Sequence, residues 1–129
     1  MAQLFEQFVA AWLAEHLPAG YQLRVQHRIA TGNLAITPDL VLEDERGRPL
    51  MVLDTKYKIP TQPAPEDIYQ VAFYASNALG CGRAALIYPQ PLQRPINQQY
   101  QQVHVRTLAF DLTADLEQAG QSLAGQLVS

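Results

Sequence analysis

Apolar residues recur with a helical period at the start of the chain, where Leu4, Phe5, Phe8, Val9, Trp12, Leu13 and Leu17 share one side of the wheel. They predict a helix over residues 2–17, stopped by Pro18 and Gly20. Residues 21–29 alternate loosely and read as a strand, with Thr31, Gly32 and Asn33 turning the chain. Two runs rich in Leu, Val and Met then flank Glu45-Arg46-Gly47-Arg48, a charged turn containing glycine, so residues 38–58 read as a β-hairpin. After a Pro-rich loop over 59–65, Ile68, Val71, Ala72, Ala75 and Leu79 return to the helical period, with Gly80 as the stop. Residues 83–88 are a short apolar run that suits a buried strand, 89–99 read as a loop rich in Pro and Gln, and 102–110 alternate as a further strand. Leu112, Leu116, Ala119, Leu123 and Leu127 predict a closing helix over 113–128 with Thr113 as its N-cap. The order αβββαβ, then β and a C-terminal helix, implies an α/β fold: a mixed sheet of about five strands flanked by helices, in one domain over 1–129.

The hairpin is the unusual part of this pattern. A turn centred on Arg46-Gly47 sets Leu40 opposite Leu53, Leu42 opposite Met51 and Asp39 opposite Asp54. Alternation then leaves Leu40, Leu42, Met51 and Leu53 on one apolar face, and Asp39, Val41, Val52, Asp54 and Lys56 on the other. Two carboxylates facing across a strand pair are destabilising unless a cation sits between them. A surface ion pair of Lys56 with the aspartates is the competing reading, but exposed pairs contribute little and do not require two aspartates to face each other. On the helix over 66–79, Asp67, Gln70, Tyr74 and Asn77 form a polar strip beside the apolar stripe. Such a strip usually faces solvent, yet Gln and Tyr also bond phosphate and sugar oxygens and Tyr stacks on bases. Glu6 falls at the border of the first helix's apolar stripe, where it either snorkels to water or reaches into a site beneath.

Composition narrows the classes. A chain of 129 residues, 48% hydrophobic and 16% charged, suits one globular core. The net charge of −3 supplies no global basic field for nucleic acid or acidic membranes, so any such binding is local. The single cysteine, Cys81, excludes an intrachain disulfide and a thiolate metal cluster and reads as a small packed side chain. No apolar run reaches transmembrane length, and a soluble, cytoplasmic protein without a membrane partner is expected. Gly-rich phosphate loops, nucleophile elbows and internal repeats are missing from the sequence. His16, near the middle of the apolar stripe but in the last turn of its helix, suits carbonyl capping better than metal binding. Arg24, His27 and Arg28 could contact phosphate but better suit a solvated strand face.

Asp39 after Pro38, followed by Asp54-Thr55-Lys56, resembles the signature of the PD-(D/E)XK nuclease superfamily. Gln70-Val71-Ala72-Phe73-Tyr74 resembles the Gln-x-x-x-Tyr motif of a subgroup that includes RecB-like nucleases. More narrowly, LFEQFV, PDLVL, VLDTKYK and DIYQVAFYA are similar, in that order, to the nuclease region of McrC, the cleavage subunit of the 5-methylcytosine-dependent restriction system. McrC proteins carry a large additional N-terminal part not found here, so a separated nuclease domain or a shorter relative is expected. The resemblance implies a restriction-endonuclease-like fold and a Mg²⁺-dependent DNA endonuclease, with Mn²⁺ as substitute, that leaves 5′-phosphate ends. It implies Asp39, Asp54 and the backbone carbonyl of Thr55 as metal ligands, with Lys56 orienting or deprotonating the attacking water or stabilising the transition state. Glu6 would be a further ligand or supporting acid, and Gln70 and Tyr74 would position nucleic acid or water. A GTP-hydrolysing McrB-like motor is the implied partner, and a homodimer is left open. The rival function is a catalytically silent nuclease-fold module for DNA binding or subunit assembly.

Overall fold

Helices cover both faces of one mixed sheet in the computed structural model, which describes residues 2–25 and 40–128. Strands β1 (Tyr21–Val25), β2 (Leu40–Asp44), β3 (Pro49–Thr55), β4 (Arg83–Tyr88), β5 (Asn97–Tyr100) and β6 (Val103–Ala109) lie in the order β1-β2-β3-β4-β6-β5. The β1–β2, β2–β3 and β5–β6 pairs are antiparallel, while β3–β4 and β4–β6 are parallel. Parallel neighbours need a crossover, and helix α2 (Pro65–Phe73) supplies the one between β3 and β4. Helices α1 (Ala2–His16) and α3 (Leu116–Val128) pack on the opposite face.

Two apolar layers result. Phe5, Val9 and Leu13 of α1 and Leu123 and Leu127 of α3 meet Leu40, Leu42, Met51, Leu53, Ile87 and Phe110. Val71, Ala72 and Ala75 meet Val52, Ala84, Leu86, Tyr88 and Val105 on the other side. Each large apolar side chain buried this way contributes roughly 1.5–3 kcal/mol before entropy is charged against it. The expected two-faced hairpin is therefore present. The stripe of α1 is narrower than its periodicity suggests: Leu4 and Phe8 are exposed and, with Phe5, Tyr57, Leu112 and Leu116, line an apolar hollow of about 340 Å³.

The hairpin register holds at Leu40↔Leu53, Val41↔Val52 and Leu42↔Met51, then shifts, so that Glu43 faces Pro49 and Leu50 is the extra residue. The turn is longer than two residues because Asp44 organises it. Its carboxylate accepts hydrogen bonds from the backbone N–H groups of Arg46 and Arg48 and from Arg48 Nε, each at 2.9 Å. Gly47 takes the left-handed conformation (φ 79°) and donates to the Asp44 carbonyl. Glu43, 3% exposed, is ion-paired with Arg24 at 2.8 Å, so Arg24 is not the merely solvated residue expected. His27, Arg28 and the Thr31-Gly32-Asn33 turn lie outside the described residues.

Three further boundaries differ from the pattern. The expected loop over 89–99 contains β5, whose residues Asn-Gln-Gln-Tyr have no apolar alternation; its stabilising partner is the backbone ladder to β6. The helix over 66–79 becomes π-helical at Tyr74–Ala78 before Gly80 (φ 64°) ends it as expected. Thr113 does not cap α3, because its hydroxyl bonds Asp111; Asp115 accepts from Gln118 N at 3.0 Å and caps the helix instead. Cys81 is buried after α2, and His16 Nδ1 bonds the Trp12 carbonyl at 2.7 Å, both as expected. No helix among the described residues is long and apolar enough to cross a membrane.

Close approach of α1 to α3 depends on Gly120, where a Cβ would stand 2.2 Å from the Trp12 ring. That ring is itself stacked on His16 and set edge-on to Phe110, so moving aside would cost it these contacts. Gly120→Ala is expected to lower unfolding free energy by about 1–3 kcal/mol and to shift Trp12 emission, read by chemical denaturation followed by fluorescence. A backbone hydrogen bond from Arg48 chiefly holds the Asp44 carboxyl below its ordinary value of 3.8, so its stabilising effect is complete above that value and fades as pH falls below it. The melting-temperature gap between wild type and Asp44→Asn should accordingly be constant near neutrality and close in acid.

Candidate active site

The C-terminal end of β3 and the first turn of α2 meet on one face of the sheet. Asp54 follows Val52 on the face covered by α2, and Lys56 comes two residues later. Lys56 N donates to the Ile87 carbonyl at 2.8 Å, which carries the β3–β4 ladder past the last strand residue and fixes where the lysine emerges. Across from it, Pro65 opens α2 and Asp67 lies in the first turn, where the helix dipole favours a carboxylate.

These elements bring three charges together. Lys56 Nζ lies 3.1 Å from Asp54 Oδ2 and 3.5 Å from Asp67 Oδ1. The side chains are 29%, 17% and 26% exposed respectively, so the cluster is partly withdrawn from water. Burial alone would press Lys56 to release its proton, but the charges of Asp54 and then Asp67 outweigh it, and the ammonium is held above its ordinary value. Lys56 is thus a cation throughout the neutral range.

A further polar group completes this corner. The Tyr88 side chain is 1% exposed, and burial, followed by the charges of Asp67 and Asp54, pushes its phenol well above the ordinary range. Tyr88 is the residue that sequence patterning missed, because it closes an apolar run and reads as core. Asp67 was legible only as a helix-start acid on a polar strip; its pairing with Lys56 spans two elements, and the one local hint is its place a turn before Gln70.

Other expected residues occupy graded positions. Glu6 is half-buried on α1, next to Phe5, whose ring packs 6.1 Å from Tyr57, so this helix borders the strand end that carries Lys56. Thr55 faces Ile87 in the parallel ladder. Gln70 is exposed one turn beyond Asp67, and Tyr74, two turns beyond, is half-buried against the core at the start of the π-helical turn. Asp39 lies outside the described residues. Among the described residues, no three His, Cys, Asp or Glu side chains are grouped to hold a metal. The described donor set does suit a hard cation: two partly dehydrated carboxylates already converge on a positive charge.

The family model of the McrBC 5-methylcytosine restriction system component matches residues 1–89. The chain belongs to this family. Its fold is similar to a chain in the solved half-complex from a tetradecameric assembly of Thermococcus gammatolerans McrB AAA+ hexamers with bound McrC, with a TM-score of 0.73 and 18% identity. That match covers 98% of this chain and 32% of the other, so this McrBC-family chain spans about a third of the length of the chain it matches. No curated protein matches it.

Removing the shared cation tests the electrostatics directly. Lys56→Met should lower stability at neutral pH by about 1 kcal/mol, the scale of a partly exposed pair. The lysine's contribution is complete below 10.5 and lost as pH rises through its raised value, so the gap to wild type should close in strong alkali when melting temperature is followed against pH.

Proposed function

We propose that this chain is a metal-dependent deoxyribonuclease domain, the DNA-cleaving part of a McrBC-type restriction system, using Mg²⁺ or Mn²⁺. The observation that carries this reading is Lys56 held between Asp54 and Asp67 at the end of β3, in an Asp-Thr-Lys segment, within a chain of the McrBC family. Asp54, the Thr55 carbonyl and Asp39 would hold the ion, with Glu6 as a further ligand or supporting acid. When bound, the ion would supply charge neutralisation at the phosphate and a more acidic water.

The protein's own residues divide the remaining work. Phosphodiester hydrolysis needs positive charge where negative charge grows. Lys56, kept as an ammonium by its neighbours, suits that electrostatic role better than proton abstraction, since a base must first be neutral. Asp67 anchors the ammonium from the helix side, and Gln70 and Tyr74 would position nucleic acid or water. In the matched structure McrC is bound to McrB AAA+ hexamers, which supports a GTP-hydrolysing McrB-like motor as partner.

Incubation of the chain with plasmid DNA and Mg²⁺ or Mn²⁺ should yield weak cutting without sequence preference and 5′-phosphate ends. Lys56→Ala should reduce cleavage at least about 100-fold while retaining ion binding by calorimetry, and Asp54→Ala should lose both. Absence of both ion binding and cleavage in the parent chain would instead favour the silent module for DNA binding or assembly.

A further inference from the structure

Tyr88 carries the one tyrosine hydroxyl among the described residues that is buried with no hydrogen-bond partner. Buried hydroxyls are nearly always paired, and one left alone in a core is better replaced by the matching hydrocarbon. Phenylalanine would fill the same space against Leu86, Val52 and Ala72 without the orphan oxygen. The oxygen therefore points to a partner that joins the site later.

Register says where that partner sits. In the parallel β3–β4 ladder Asp54 faces Leu86 and Thr55 faces Ile87, so Tyr88 is next in line, beside Lys56 and on the face shared by Asp54 and α2. Burial, and then the charges of Asp67 and Asp54, raise its phenol, in accord with that register. At 1% exposure Tyr88 does not reach a DNA strand lying outside. A neutral phenol is also a poor direct ligand for a hard ion that keeps several of its own waters. What remains is a small polar molecule between the ring and the carboxylates.

We propose that Tyr88 is a positioning residue of the metal site, its hydroxyl oxygen accepting a hydrogen bond from a water in the hydration shell of the divalent ion held on Asp54. This rests on the metal-dependent reading of the site. Partners that orient bound groups in this way change ion affinity without touching the ion. That hydrogen bond would give the hydroxyl the partner that the protein's own groups do not supply.

Tyr88→Phe removes only the oxygen. In calorimetric titration of the whole chain with Mn²⁺, the variant should bind about tenfold more weakly than the parent. Its melting temperature without metal should be unchanged or higher, as a merely structural hydroxyl would not allow. Equal Mn²⁺ affinity in the two proteins would overturn the role of Tyr88 and leave the metal site standing, whereas a parent that binds no Mn²⁺ removes both. A second measurement needs no variant: bound Mn²⁺ should broaden the ring resonances of Tyr88 more than those of Tyr69 or Tyr100, and sharp Tyr88 signals would refute the proposal.

Discussion

Parallel pairing of β3 with β4 is the constraint on which the rest of the molecule depends. A hairpin can close on itself, but a parallel neighbour requires the chain to leave the sheet, cross one face and return. The crossover forces α2 over Val52 and Leu86, and so delivers its first turn to the end of β3. The meeting of Asp67 with Lys56 is a by-product of that route. The same pairing seats Tyr88 beside the lysine, so one ladder places groups from three separate elements in one corner.

Within that corner, the lysine reconciles two requirements that otherwise conflict. Two carboxylates brought into one corner repel one another, and partial burial sharpens the repulsion. An ammonium shared between Asp54 and Asp67 relieves it at little cost, because both partners keep some contact with water. The arrangement holds one positive charge at the end of β3. The cluster lies within the stretch that the McrBC family model matches.

What was legible in the sequence follows the range of the forces involved. Strand alternation acts over two residues, and it placed Leu40, Leu42, Met51 and Leu53 on one face and Asp54 and Lys56 on the other. Helix period acts over four, and it located all three helices, though not the one-residue widening after Phe73. The hairpin bulge escaped because it arises from Asp44 bonding backbone groups, a competition invisible to hydrophobicity. β5 escaped for a similar reason, since an edge strand of amides is stabilised by its ladder alone. Asp67 and Tyr88 join the cluster through contacts between elements remote in sequence, whereas the hairpin register and the family resemblance had both pointed to the end of β3.

The outer edge formed by β5 has a consequence of another kind. Asn97-Gln98-Gln99-Tyr100 runs on into Gln101 and Gln102, six residues without charge, proline or glycine. Among the described residues β5 ends the sheet, so one side of its backbone is unpaired. Amide side chains stack readily into ladders between identical strands, and a tyrosine adds ring stacking to them. Most proteins defend such an edge with a lysine or a proline, and here neither is present within the strand. At four residues, β5 is guarded by its shortness and by the turn at Gln101 (φ 53°) rather than by charge, and it lies at the end of the sheet away from the β2–β3 hairpin.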